Sequence, residues 1–165
     1  VDPGSRAAGK AYEFPAQDAS VTGMTKIRPL ALGVIRRGED LLVFEGRDHA
    51  KGETYHRPLG GGIEFGETAA EALHREFQEE LAAELTSVEQ IAVLENVFTY
   101  EGRPGHEIVF LFTADLTDKA FYERDEVGVV LDDGARVHWL PMSDVASGKA
   151  ILYPDGLAAL LSAQH

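Results

Sequence analysis

Residues 60–84 read Gly60-Gly61-Gly62-Ile63-Glu64-Phe65-Gly66-Glu67-Thr68-Ala69-Ala70-Glu71-Ala72-Leu73-His74-Arg75-Glu76-Phe77-Gln78-Glu79-Glu80-Leu81-Ala82-Ala83-Glu84. The glycines at the start meet a backbone requirement, because glycine tolerates tight folds and close approaches that other residues do not. Directly after them, Thr68 followed three residues later by Glu71 has the spacing of a capping box, and Leu73, Phe77, Leu81 and Leu85 recur every four residues. The spacing predicts a helix from about Thr68 to Glu84 with one apolar stripe. Its polar side is heavily acidic: Glu67, Glu71, Glu76, Glu79, Glu80 and Glu84 stand against a single Arg75. Like charges at i,i+3 or i,i+4 destabilise a helix by ~0.2–0.5 kcal/mol each, so Glu67/Glu71, Glu76/Glu80, Glu80/Glu84 and Glu76/Glu79 together cost about 1–2 kcal/mol. At about 100° per residue, Glu76, Glu79 and Glu80 share one arc beside the apolar stripe. Converging carboxylates with no cysteine or clustered histidine beside them suit a hard cation. Mg²⁺, or Mn²⁺ in its place, is the ion that such a set shares with substrate phosphates. The alternative is a solvated acidic face, the ordinary fate of a glutamate-rich helix. The glycines favour the ion, since a tight backbone just before the helix can bring carbonyls or N–H groups to an ion or phosphate.

The rest of the chain sets the frame. Its 165 residues, 44% of them apolar, suit one domain with a sizeable core. Fifteen Lys+Arg against 28 Asp+Glu give a net charge of −13, which argues against nucleic acid held by its phosphates. The longest near-continuous apolar stretch, Pro29 to Ile35, falls far short of the ~20 residues that cross a bilayer, so no membrane partner is expected. The absence of cysteine removes disulfides, thiolate metal sites and cysteine nucleophiles, and any catalysis must come from oxygen or nitrogen groups. A cytoplasmic location fits. Val1 to Gly23 mixes Gly, Pro, Ala, Ser and Asp without the charged and apolar regions of a signal peptide. It is expected as a disordered tail or expression remnant, with the native start at Met24 and the folded domain over residues 24–165.

The runs Leu30 to Ile35 and Leu41 to Phe44, flanking Arg36-Arg37-Gly38-Glu39-Asp40, predict a hairpin, followed by a polar loop from Glu45 to Thr54. Ile91 to Tyr100 and His106 to Leu116 predict a second hairpin around Glu101-Gly102-Arg103-Pro104-Gly105. A polar stretch from Thr117 to Gly134 leads to a strand at Arg136 to Leu140, with short helices expected at Ser143 to Ser147 and Pro154 to Gln164. Strands before, between and after helices, with hairpin neighbours, favour a mixed α/β (α+β) sandwich over a doubly wound parallel sheet.

From Gly61 to Ala83 the chain resembles the Nudix box, in which a glycine, five residues, a glutamate and seven residues lead into Arg-Glu-apolar-x-Glu-Glu-x-Gly-apolar. Gly61, Glu67, Arg75, Glu76, Phe77, Glu79 and Glu80 match at the required spacing; Ala82 stands where the pattern has its late glycine, and Ala83 is a small version of the closing apolar residue. The resemblance implies a Nudix-like α/β/α sandwich with a mixed sheet, and a divalent-metal-dependent hydrolase of nucleoside diphosphates linked to another group. Carried over by position, Glu76, Glu79 and Glu80 with the Gly60 carbonyl would hold Mg²⁺ or Mn²⁺, and Glu76, Glu80 and Arg75 would be the catalytic set, in which Arg75, like Glu67, is an orienting partner and not a ligand. The general base would come from Glu76 or from the acidic loop residues Glu123, Asp125 and Glu126.

A nucleotide needs further contacts. Arg57, with Tyr55 and His56 beside it, leads into the box; Gly61 and Gly62 offer backbone to phosphates; Tyr100 and Phe98 lie where an aromatic ring can stack on a base. Tyr100 follows Ala83 at a distance similar to that in Nudix hydrolases of dinucleoside polyphosphates. The proline of many ADP-ribose hydrolases and the motif of NADH-cleaving relatives are missing, as is the cysteine of isopentenyl diphosphate isomerase. His106 and Glu107 are expected as a hydrogen-bonded pair at a strand end. The expected substrate is therefore a nucleoside polyphosphate, either a (d)NTP or a dinucleoside polyphosphate, with a homodimer as the expected assembly. The alternatives are a regulatory module that binds a nucleotide without cleaving it, and an ADP-ribose or nucleotide-sugar pyrophosphatase.

Overall fold

The computed structural model describes residues 26–164; the expected tail over residues 1–23 and the expected start at Met24 lie outside the described residues. The chain runs β1 (Ile27–Val34), β2 (Arg36–Arg37), β3 (Asp40–Asp48), β4 (Glu53–Arg57), β5 (Leu59–Gly62), α1 (Ala69–Leu81), β6 (Leu85–Tyr100), β7 (Arg103–Leu116), a 3-10 turn at Lys119–Glu123, β8 (Glu126–Val129), β9 (Arg136–Pro141), α2 (Met142–Ala146) and α3 (Leu157–Ser162). One sheet has the order β5-β1-β7-β6; the other has β2-β3-β9-β8, with β4 also paired to β3. β1 and β7 run parallel, and the remaining strand ladders are antiparallel.

Period-two alternation splits the core between two faces. Ala31 and Ile35 of the first strand region, Leu42 and Phe44 of β3, and Phe112 and Ala114 of β7 pack with Ala72, Leu73 and Phe77 of α1. Their neighbours Leu30, Leu32, Val34, Leu41, Val43, Val109 and Leu111 pack with Leu157 and Leu161 of α3. Helices therefore cover opposite faces, which gives the α/β/α sandwich.

The second hairpin forms as expected but is tighter and longer. Tyr100 stands opposite Arg103, and Glu101 and Gly102 both take positive φ, 49° and 74°, the conformation of the two-residue turn that suits strand twist. The first hairpin differs. β1 pairs with β5 and β7 instead of β3, and the chain changes sheets at Ile35, whose carbonyl accepts from the Leu42 N–H at 3.0 Å. Only the short β2–β3 ladder remains of it. The polar segment from Glu45 to Thr54 is largely strand, because β3 runs on to Asp48 and pairs with β4.

Helix α1 starts where the sequence predicts: Thr68 Oγ1 accepts from the Glu71 N–H at 3.2 Å and Glu71 Oε2 accepts from the Thr68 N–H at 2.8 Å. It ends three residues early, at Leu81, because Ala82 takes the left-handed conformation with φ 51° and ψ 38°. The alanine thus makes the exit that the glycine makes in the box pattern, at a cost in strain of about 1–2 kcal/mol. Leu73 and Phe77 are fully buried, each contributing about 1.5–3 kcal/mol, enough to outweigh the repulsion among the glutamates.

Candidate active site

The three glycines follow Leu59 in strand β5, which lies against β1 and passes over the acidic face of α1. At Gly60, φ is 140°, and a Cβ would fall 2.0 Å from the Ala31 carbonyl oxygen. At Gly61 a Cβ would sit 2.5 Å from Glu76 Cδ and 2.6 and 2.7 Å from its two oxygens. The Glu76 carboxylate therefore occupies space that any side chain at residue 61 would fill.

Glu76 and Glu80, one turn apart, are 2% and 0% exposed, whereas Glu79 sits at the rim. Arg75 ties the cluster together. Its Nη1 donates to Glu76 Oε1 at 2.8 Å and Glu79 Oε2 at 3.3 Å, its Nε to Glu67 Oε2 at 3.1 Å, and its Nη2 to Glu67 Oε1 at 2.5 Å and the Gly62 carbonyl at 2.9 Å. Hydrogen bonding to Glu67, foremost among these, holds the guanidinium charged. Glu67 also accepts from the Glu64 N–H at 2.8 Å, which fixes the loop before the helix.

Three oxygens in this cluster have no hydrogen-bond partner although they are buried: Glu76 Oε2, Glu80 Oε1 and Glu80 Oε2. Burial, and next the charge of Glu76, push the Glu80 carboxyl well above the ordinary range. Burial also raises Glu76, against the lowering pull of Arg75. Buried carboxylate oxygens need a cation or a proton. Glu76 and Glu80 thus offer an all-oxygen pair beneath a glycine strand, the chemistry that suits a hard divalent ion; Glu79 does not close with them into a three-donor group, as Glu45, His56 and His138 do elsewhere among the described residues.

The family model for the NUDIX domain matches residues 27–159. The chain belongs to the Nudix family. With that membership comes the coarse activity, that of a pyrophosphohydrolase acting on nucleoside diphosphate-X compounds. Among solved structures, the Nudix chain is similar to a NUDIX hydrolase from Nitrosomonas europaea, at TM-score 0.61 and 18% identity, covering 85% of this chain and 89% of that one. It is also similar to a MutT NUDIX hydrolase from Burkholderia pseudomallei, at TM-score 0.53 and 19% identity over 72% and 85% of the two chains. A MutT protein from Bacillus halodurans gives 0.53 and 14% over 84% and 81%.

Away from the Nudix box, Arg57 and Tyr100 come together. Both line a cavity with Tyr55, Asp48, Asn96 and Phe98. Tyr100 meets Tyr55 edge-on at 6.1 Å, and its hydroxyl donates to the Arg47 carbonyl at 3.2 Å. Arg57 is buried and paired at 2.7 Å with the equally buried Glu107. The expected His106–Glu107 pair thus divides: Glu107 binds Arg57, and His106 lies 3.1 Å from Glu95. His56 is turned from the cavity and contacts the Ile151 carbonyl, Glu45 and His138.

Two of the three loop acids are engaged elsewhere, Asp125 with Arg37 at 3.0 Å and Glu126 with Arg136. Asp133, which the sequence reading passed over, is the loop acid whose charge acts on Glu80. The Leu131 N–H donates to the Glu80 carbonyl at 2.9 Å and fastens that loop to α1. No local pattern marks Asp133, because its place depends on this long-range hydrogen bond. Among the described residues, no helix is long and apolar enough to cross a membrane.

Proposed function

We propose that this chain hydrolyses the diphosphate linkage of a nucleoside polyphosphate, a (d)NTP or a dinucleoside polyphosphate, with Mg²⁺ held by Glu76, Glu79, Glu80 and the Gly60 carbonyl. The observation that carries the reading is the set of three buried, unpartnered oxygens on Glu76 and Glu80. Mn²⁺ suits the same oxygens. A divalent ion bound there supplies charge neutralisation on the diphosphate and activation of water.

The protein's own groups do the rest. Arg75 fixes Glu76 and Glu79 through one nitrogen and Glu67 through two others, so the carboxylates keep their spacing when a phosphate arrives. Gly61 and Gly62 bring backbone beside them with no side chain in the way. Arg57 and Tyr100 lie in one cavity, where the ring offers a base a stacking surface and the guanidinium, backed by Glu107, offers charge. For the proton of the attacking water the best supported acceptor is Glu76, whose Oε1 is held by Arg75 while Oε2 has no partner. Asp133 is the loop alternative, favoured over Glu123, Asp125 and Glu126 by its action on Glu80.

The test is a phosphate-release screen over nucleoside triphosphates, dinucleoside polyphosphates, ADP-ribose and nucleotide sugars, with and without Mg²⁺. Metal-dependent release from the first two classes is the expected result. Release from none, with nucleotide still bound, would establish the regulatory module instead. Preference for ADP-ribose or a nucleotide sugar would move the substrate class.

A further inference from the structure

We propose that Glu45, His56 and His138 form a second metal site, on the opposite face of the sandwich from the box glutamates, that takes a borderline transition-metal ion such as Zn²⁺. The strand register assembles it. Glu45 of β3 stands opposite His56 of β4, and Val43, two residues back on the same face, stands opposite His138 of β9. Val43 packs in the α3 cluster, whereas α1 and its glutamates lie against the other face. One donor atom from each of the three residues lies within 4.8 Å of the others.

The donors are prepared for an ion in two ways. His56 Nδ1 lies 3.3 Å from the Ile151 carbonyl, and a nitrogen facing a carbonyl must carry the proton. Nε2 is left with its lone pair, 3.6 Å from Glu45 Oε2. A carbonyl that fixes the far nitrogen is the usual support of a ligating histidine. The separation is close to the ~3.3 Å edge of a tetrahedron with bonds of about 2.0–2.1 Å. His138 is 8% exposed, and its Nε2 is buried with no hydrogen-bond partner, an arrangement folded proteins rarely leave without a reason.

One group competes. Arg136 Nη1 donates to Glu45 Oε2 at 3.0 Å. Its side chain is half exposed and also binds Glu126 through Nε at 2.9 Å, so it keeps a partner if it yields Glu45, and a carboxylate has a second oxygen to offer. Two imidazoles with one carboxylate prefer Zn²⁺ to Mg²⁺, the reverse of the all-oxygen box. Such an ion would tie β3, β4 and β9 together just ahead of the strand that crosses the box helix.

The test uses the full chain, stripped with chelator and titrated with Zn²⁺ or Co²⁺ in excess Mg²⁺. The Glu76→Gln/Glu80→Gln variant is expected to retain one Zn²⁺ per chain by equilibrium dialysis and to give the intense visible Co²⁺ bands of a four-coordinate site. Glu45→Gln and His138→Gln are each expected to weaken that binding at least tenfold. Undiminished Zn²⁺ binding in those two variants, or its loss in the box variant, would overturn the proposal. Should His138→Gln misfold by circular dichroism, the decision rests on Glu45→Gln and on imidazole nitrogen NMR of the unaltered chain. Zn²⁺ must shift the Nε2 resonances of His56 and His138 there, and unmoved resonances overturn it. These readouts measure binding, so they stand or fall separately from hydrolysis.

Discussion

Replacing Glu80 by glutamine should raise the stability of the metal-free protein while removing its activity, a combination that few substitutions produce. Glu80 is fully buried, and neither carboxylate oxygen has a hydrogen-bond partner. Holding an ionised carboxylate there costs several kcal/mol, as for any buried ion without a partner. A glutamine amide of the same shape, itself short of partners, costs about 1–3 kcal/mol. The difference leaves roughly 1–2 kcal/mol in favour of Glu80→Gln, which for a chain of this size is a rise in Tm of roughly 2–8 °C. The advantage must depend on pH. Because the native carboxyl titrates above the ordinary value of 4.5, between those two values the folded state holds a proton that the unfolded state has lost, and the parent loses stability as pH rises. Glutamine does not titrate, so the variant's lead should be small below pH 4.5 and grow until the native value is passed. Thermal unfolding in chelator across that range, with phosphate release at neutral pH, gives both readouts. Turnover should fall by roughly 10²–10³-fold, as for loss of a group that stabilises developing charge. A variant less stable than its parent in chelator at neutral pH, or one fully active, would refute the reasoning.

Gly61→Ala should lower turnover more than tenfold and stability by about 1–3 kcal/mol, since its Cβ would lie 2.5 Å from Glu76 Cδ; steady-state kinetics and chemical denaturation check the two effects. Ala82→Gly should stabilise the chain by about 0.5–1 kcal/mol, by relieving the left-handed alanine at φ 51°, with kcat unchanged; a denaturation midpoint that stays put or falls counts against it. Glu107→Leu should destabilise by about 3–5 kcal/mol by removing the carboxylate that Arg57 binds at 2.7 Å, whereas adding Arg57→Met to Glu107→Leu should recover most of that loss. A double-mutant cycle on urea unfolding measures the difference. Asp133→Asn should leave the acid limb of the pH–rate profile in place, because Glu76 accepts the proton; loss of that limb would assign the proton to Asp133 instead.

What could be read from the sequence was local. The capping box at Thr68 and Glu71, the stripe of Leu73 and Phe77, and the turn that begins at Glu101 each depend on neighbours a few residues away; the first two lie where their patterns put them, and the turn closes within Glu101-Gly102 instead of running to Gly105. Partner choice is a different kind of fact. Alternation marks Leu30 to Ile35 as a strand, but its partners at β5 and β7 are chosen by packing far along the chain. Strand β5 was hidden because glycine is a poor strand former; Gly60 and Gly61 are strand residues for a tertiary reason, the approach of Ala31 and Glu76. Charge marks the acidic helix in the sequence as a candidate metal site, yet its most informative feature, which carboxylate oxygens lack partners, depends on where Arg75 reaches. Arg75 lies one residue from Glu76 and four from Glu79, and it serves both. The nearness of Asp133 to Glu80, and of His138 to His56, left no trace in spacing.

The energetics also move the role of the ion from folding to chemistry. Glu67 and Glu84 lie outside α1 (Ala69–Leu81), so only Glu76/Glu79 and Glu76/Glu80 repel within the helix, by about 0.4–1 kcal/mol; on sequence alone a cation is the obvious offset. In the folded chain Arg75 already neutralises part of it, Glu71 is occupied at the N-terminus of the helix, and burial of Leu73 and Phe77 exceeds what remains. The helix therefore stands without an ion, and so do the glycine strand above it and the left-handed exit at Ala82. What burial and repulsion do instead is hold Glu76 and Glu80 in the state least content with water or protein as a partner. The Glu76 and Glu80 carboxylates are thus fixed by packing before any phosphate arrives, whereas Glu79 is held at the rim by Arg75 and must turn inward to join them on an ion.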